Sequence, residues 1–266
     1  MNKRLAAAIL LLLILGAALT LRFARFDYAF QDRDSIMAPS TAEHLAGTDE
    51  LGRDRMVRIA GALLLGLAGA TAAAAITTTI AAAFGLLAAF SPAWIAAILM
   101  FLSDVFLSLP WLFLLMIARS LLPLTASPLE TALTTFLVLA ALGWPACARA
   151  IYHGAAALRS AEWIIQGHAC GLRTGQLIRL HIVPHLRPLF LPQFLICIPA
   201  FIVAEANLGA LGLGVGEPMP SWGAMLLELD NSALLAQSNW VYLPIVLLVV
   251  VLLFLESFTS EAETNA

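Results

Sequence analysis

Lysine is almost missing from this chain: 266 residues contain one, Lys3. A Walker A loop uses a lysine to reach the β- and γ-phosphates of a nucleotide. Lys3 stands in no such loop, so the sequence predicts a chain that does not itself hydrolyse ATP by that route. Charge of either sign is scarce. Asp, Glu, Lys and Arg make up 12% of residues, against about 25% in a soluble domain. The three cysteines, Cys147, Cys170 and Cys197, are odd in number and have no CxxC spacing. That argues against a disulfide framework or a zinc site, and they read as small apolar filler. There is no HExxH. His181 and His185 have the i,i+4 spacing, but Pro184 between them disturbs the helix that a two-histidine zinc site needs, so they read as part of a polar loop. Gly209, Gly212, Gly214 and Gly216 follow an apolar run instead of a strand, and no acidic partner follows in register. They predict a turn or close helix packing, not a dinucleotide loop. No catalytic residue, metal or cofactor is expected in this chain, and no nucleic-acid partner.

What the chain has in abundance is apolar surface: 61% hydrophobic residues and a mean hydropathy of +0.92. The fold class expected is all-α, a polytopic transmembrane helical bundle. Runs long enough to cross roughly 30 Å of hydrocarbon fall near 5–21, 60–90, 94–122, 127–148, 188–212 and 240–258, giving about six spans. Pro188, Pro192 and Pro199 predict a bent or interrupted fifth span. Lys3 and Arg4 put the N-terminus in the cytoplasm by the positive-inside rule, and with six spans both termini lie there. The segment 149–187, with Arg149, Arg159, Arg173, Arg179 and Arg187 against one acid, Glu162, falls on the same side. The loop 213–239 has Glu217, Glu228 and Asp230 and no base, as suits the outside, whereas 22–58 mixes arginines with acids. The expected organisation is an N-terminal anchor (1–22), a periplasmic segment (23–58), a permease core (59–258) and a cytoplasmic tail (259–266). A cleaved signal peptide is the alternative for the first run; its continuation to Leu21 favours an anchor.

Two acids fall inside predicted spans, Asp104 and Glu205. A charge at mid-membrane costs a few kcal/mol, so both are expected to face protein or a hydrated pathway. For Asp104 a structural role is favoured; for Glu205 a gate and a satisfied buried group stand as equals. Small residues such as Gly66, Gly69 and the run Thr77–Thr79 predict close helix approach. Within 149–187, a helix from about Ala155 to Cys170, a joint at Gly171 and a second helix ending at Pro184 would form a docking surface for a soluble partner. An ordinary solvated loop is the alternative.

The same segment resembles the "EAA" loop of ABC importer permeases. Glu162-Trp-Ile-Ile-Gln-Gly-His-Ala-Cys-Gly171 and His181-Ile-Val-Pro184 match its glycine-to-proline spacing. Four further stretches are similar to the peptide/nickel branch: Gly47-Thr-Asp-Glu-Leu-Gly-Arg-Asp54 with Arg58, Asp104 with Pro110, Gly143-Trp-Pro145 with Arg149, and Glu205-Ala-Asn-Leu-Gly-Ala-Leu-Gly212-Leu-Gly214 followed by Pro220-Ser-Trp222-Gly. The resemblance covers about residues 46–255. One departure is clear: Ile165-Gln166-Gly167 stands where the family has Glu-Ala-Ala.

The resemblance implies an inner-membrane subunit that forms half of a solute pathway with a second, homologous permease chain. Two cytoplasmic ATPase subunits, which bind the ATP and magnesium, would dock on the loop. The docking residues implied are Arg159, Glu162, Ile165, Gln166, Gly167, Gly171, His181 and Pro184. A periplasmic or lipid-anchored binding protein would deliver peptides, nickel or a similar solute to a pathway or gate near Asp104, Pro110, Glu205, Gly212, Gly214 and Trp222. The rival expectations are a secondary transporter, resting on Asp104 and Glu205, and a non-transporting paralogue, resting on the missing glutamate.

Overall fold

The computed structural model describes residues 3–121, 127–230 and 239–264. Among them there is no strand, and five helices are long and apolar enough to cross a membrane, with a bent pair as a sixth candidate. The first is α1, Lys3–Phe23. The next, α2, runs unbroken over Arg55–Phe90, 36 residues, or about 54 Å at 1.5 Å per residue. Its start is fixed by Asp54, whose carboxylate accepts the Val57 N–H at 3.0 Å, capping a donor that the helix leaves unmade.

One face of α2 is built of small residues. Gly66, Ala70, Ala73, Thr77, Ala81, Gly85 and Ala88 are buried at helical spacing, which lets neighbouring backbones approach closely. Thr77 Oγ1 donates across the seam to the Ala140 carbonyl at 3.0 Å. A Cβ on Gly85 would stand 2.7 Å from the Ala148 carbonyl oxygen. Gly85→Val is therefore expected to cost about 1–3 kcal/mol by overpacking. Thermal unfolding in detergent should show a midpoint lower by about 3–10 °C. Gly16→Val, where no atom lies within 4 Å of the added carbon, is the control that should show no comparable loss.

The predicted third span is not one helix. It consists of α3, Ala93–Ser108, and α4, Trp111–Ser120, bent by 87°. Pro110 has no N–H to give and holds Leu109 extended (φ −84°, ψ 138°), as the residue before a proline prefers. The fourth span overruns its predicted end at residue 148. A capping box at Ser127 and Glu130 starts α5, Pro128–Leu142, and α6, Trp144–Leu158, continues it after Gly143. Arg149, assigned from sequence to a cytoplasmic loop, thus lies within a helix.

The predicted coupling loop changes accordingly. Its first helix does not start at Ala155; α6 ends at Leu158 and a separate α7 covers Glu162–Ala169. Nor does the second stop at Pro184. A short α8, Thr174–Leu177, passes into a π turn, Ile178–Ile182, and then α9, Val183–His185. In the π turn Val183 bonds back to Ile178, one residue further than in an α-helix. The wider turn accommodates Pro184, which in an α-helix would crowd the carbonyl four residues earlier.

The fifth span, α10, Arg187–Ala210, keeps Pro192 and Pro199 inside a continuous helix, so the predicted interruption is absent. It ends in a Schellman motif: Gly212 has φ +73°, and the Gly212 and Leu213 N–H groups bond to the Gly209 and Leu208 carbonyls at 2.9 and 2.8 Å. After α11, Trp222–Leu227, the last helix is α12, Leu243–Thr264. Part of the loop predicted to face outward, 231–238, lies outside the described residues. One apolar core joins α2, α5, α6, α10 and α12. A second, smaller one lies under α7 and α8.

Candidate functional site

Two constructions occupy opposite ends of the bundle. At the α7 end, Ile164, Leu177, Ile182 and Leu186 pack with Ala89 of α2 and Ala155 of α6. The loop segment therefore has an apolar core of its own, tied to two spans. The chain reverses at Gly171, whose φ of +84° is natural only to glycine. Nothing lies within 4 Å of where its Cβ would be, so conformation, not space, requires the glycine. Gly167 is a matter of space: a Cβ there would come 2.5 Å from Leu177 Cδ2.

Of the residues expected to dock a partner, Arg159, Glu162, Ile165, Gln166, Gly171 and His181 are exposed, and Gly167 and Pro184 are half-buried. Ile165 is 60% exposed, an apolar knob on the face of α7 that also exposes Glu162 and Gln166. His181 and His185 do not belong to a plain polar loop. Their rings lie 6.2 and 5.0 Å from that of Trp163, which positions α7 against the second half of the segment.

At the other end, the Gly47–Asp54 segment is a knot of local bonds. Gly47 and Gly52 have φ of +72° and +75°, and a Cβ on either would collide with backbone, at Ala38 and Asp32. Thr48 Oγ1 accepts the Ala38 N–H at 2.8 Å and donates to the Ser35 carbonyl. Asp49 accepts the N–H groups of Leu51 and Arg53 at 2.9 and 2.8 Å.

From this knot and the first turn of α2 three arginines reach across to the segment between α10 and α12. Arg53 pairs with Asp49 and Glu217, and Arg58 with Glu217 at 3.2 Å and Asp49 at 3.6 Å. Arg55 holds Glu228 through Nε and Nη2 at 3.0 and 2.9 Å. Arg55 and Arg58 are each only 1% exposed. Burial pushes the Glu228 carboxyl above its ordinary range, and Arg55 opposes this. At Arg53 burial works against the charge, but Glu217 and Asp49 outweigh it and hold the guanidinium above its ordinary value.

Beneath this network α11 lies on the end of α10, where Gly209, Gly214 and Gly223 meet. A Cβ on Gly209 would stand 2.5 Å from Gly223 Cα, and one on Gly214 2.5 Å from Gly209 Cα. The glycine run is close packing, as expected. Glu205 is 1% exposed and faces the Ser221 hydroxyl and the Trp222 and Gly223 N–H groups at the start of α11. None of these contacts has full hydrogen-bond geometry, since both carboxylate oxygens lack a bonded partner. Arg119 of α4 donates to the Leu213 carbonyl at 2.9 Å, joining the bent pair to the same turn.

The predicted gate residues thus divide. Glu205, Gly212, Gly214 and Trp222 are together. Pro110 makes the bend between α3 and α4, and Asp104, an exposed side chain, pairs with Arg149 of α6. The two acids do not converge, which removes the motive for an ion-coupled transporter. The sequence reading missed Asp49, Arg53, Arg55, Arg58, Glu217 and Glu228 as a unit. The available signal was the balance between arginines at 53–58 and a distant loop holding acids without bases.

Residues 81–259 match the family described as binding-protein-dependent transport system inner membrane component. The chain is 29% identical over 217 residues to the oligopeptide transport system permease protein OppC of Bacillus subtilis, covering 82% of this chain and 69% of the relative. It is 28% identical to the OppC of Haemophilus influenzae over 273 residues, 100% of this chain and 84% of the relative. It is 30% identical to the dipeptide transport system permease protein DppC of B. subtilis over 187 residues, 70% and 57% of the two chains. Among solved structures, an inward-facing MetNI methionine ABC transporter shares the fold, with TM-score 0.58, 16% identity and coverage of 78% of this chain and 97% of that one.

Proposed function

Since this chain belongs to the family of binding-protein-dependent transport system inner membrane components, we propose that it forms half of a peptide pathway in an ATP-driven importer. The α7 end is cytoplasmic and takes a separate ATPase; the α11 end faces the periplasm and a substrate-binding protein. A second permease chain completes the pathway, and two ATPases hold the ATP and magnesium. Peptide as the solute follows from relatives named for oligopeptide and dipeptide transport.

The single observation that carries the coupling role is the α7–α8 unit, which has its own core fixed to α2 and α6 and an exposed outer face. Closure of the ATPases would press on that face, and the packed unit would carry the displacement to the attached spans. At the far end Glu205, lying under α11, is the proposed outer gate. Co-purification of the chain with its ATPases and second permease, followed by peptide-stimulated ATP hydrolysis in lipid discs, tests the assignment. An assembly whose hydrolysis ignores every peptide-loaded binding protein would sink it.

Ile165 makes the docking role specific. A socket shaped for Ile165 would have to bury a carboxylate in an Ile165→Glu variant, at a cost of several kcal/mol if unpaired. Stimulated hydrolysis should stay level or fall. A clear gain would show that the partner keeps the charged socket that suits the family's usual glutamate.

A further inference from the structure

The ion pair between Asp104 of α3 and Arg149 of α6 stays open on the surface of the chain, its side chains 49% and 40% exposed. Asp104 lies eleven residues beyond Ala93, the start of α3. That is about 16 Å at the helical rise, close to the middle of a hydrocarbon layer roughly 30 Å thick. Charged groups exposed at that depth face water or protein, not lipid tails.

Below the pair, one face of α6 carries Arg149, Tyr152, His153 and Ala156 at helical spacing, and its C-cap residue, Arg159, continues the stripe. All five line a cavity of about 330 Å³, closed on its other side mainly by alanines from the end of α2 and the start of α3. The Tyr152 ring meets the His153 ring edge-on at 5.1 Å. Arg149 has its charge matched by Asp104; His153 and Arg159 carry no ion pair among the described residues. The stripe therefore passes from a neutral pair at mid-depth to a cationic mouth beside α7.

We propose that the α3–α6 cavity is the inner stretch of the solute pathway and that its basic stripe guides the carboxylate of the passing solute toward the cytoplasm. This rests on the importer reading above and adds the face that lines the route and the group it handles. Asp104 keeps Arg149 charged at depth and, by competing for it, prevents a carboxylate from being trapped there. Conduction needs such weak, repeated contacts in place of one tight site. Arg159, at the exit, adjoins the first turn of α7, so the mouth of the route and the coupling unit share a border.

The test uses the complete importer in lipid discs. Cys170 is exchanged for serine, since it is the exposed thiol while Cys147 and Cys197 are buried, and a cysteine is placed at Ala156. Its reaction with a negatively and a positively charged methanethiosulfonate of similar size is timed with and without ATP. After correction for their rates with a free thiol, the anionic reagent should react at least about tenfold faster. Adding His153→Gln and Arg159→Gln should bring the two rates to within about twofold. Equal rates in the unmodified stripe would overturn the carboxylate role. No reaction in any nucleotide state would show the face packed against protein, and labelling only by a membrane-permeant maleimide would show it covered by lipid; either result overturns the pathway assignment. Uptake of a dipeptide and of an oligopeptide by the unmodified importer is measured separately, and the absence of both would reject peptide as the solute without touching the labelling result.

Discussion

Proline at position 171 is expected to reduce solute-stimulated ATP hydrolysis by about 100-fold while the bundle remains assembled. Gly171 holds φ at +84°, and a proline ring fixes φ near −65°. The reversal between α7 and α8 must then re-form, at a cost of about 3 kcal/mol or more, which corresponds to roughly a hundredfold loss of the docking conformation. Alanine gives a graded comparison. It meets no atom within 4 Å, so only the left-handed backbone is penalised, by about 1–2 kcal/mol, and roughly a tenfold loss follows. The spans are not touched, so size-exclusion behaviour in detergent should match the unmodified protein. Hydrolysis at the original rate in Gly171→Pro would remove α7 and α8 from the ATPase contact.

A comparable effect, on stability instead of coupling, is expected from Arg55→Met. Methionine fills similar space but leaves Glu228 in its buried position, with Arg58 as the other cation near enough to act on it. Breaking a buried pair from one side costs about 3–5 kcal/mol, or a midpoint lower by about 10 °C.

The loss should depend on pH in a definite direction. Burial already raises the Glu228 carboxyl above its ordinary range, and Arg55 is the main group holding it down; without Arg55 it rises further. An acid whose folded value lies above its unfolded one favours the protonated folded state. Its contribution is fully present below the unfolded value, about 4.3, and is lost as pH rises through the raised one. The variant should therefore approach the unmodified protein near the ordinary glutamate range and fall furthest behind it at neutral pH and above. Thermal melts at a series of pH values read this directly. A deficit that does not change with pH would mean that the arginine acts by packing alone. Glu217→Gln should matter less, because that side chain is 52% exposed and water screens its pairs.

These outcomes bear on what a linear reading of the chain could reach. The spans were legible because hydrocarbon thickness demands long apolar runs, and those runs stand out in the sequence. Their breaks were not. Pro110 ends a helix, whereas Pro192 and Pro199 sit inside one, although the local sequence signal is the same. The difference lies in whether neighbouring groups satisfy the freed carbonyls, which is tertiary information. Arg149 was misplaced for the same reason, because its partner Asp104 is forty-five positions away. In the coupling loop the joint at Gly171 was visible as a glycine between two helical stretches. The π turn before Pro184 was not, since nothing in Ile178–Ile182 marks a five-residue turn. The arginine network joins residues 159 to 173 positions apart, so only folding reveals that the mixed charges of 22–58 have their counterparts beyond the fifth span.

The length of α2 has a mechanical consequence. Its first turn is clamped by ion pairs to the segment around Glu217 and Glu228, and its last turn contributes Ala89 to the small core under α7. Between these anchorages there is no proline and no break over 36 residues. A stiff strut of that kind, packed along much of its length by its seam of small residues, would tilt as one body, so that a push on its α7 end would be felt at its ion-paired end.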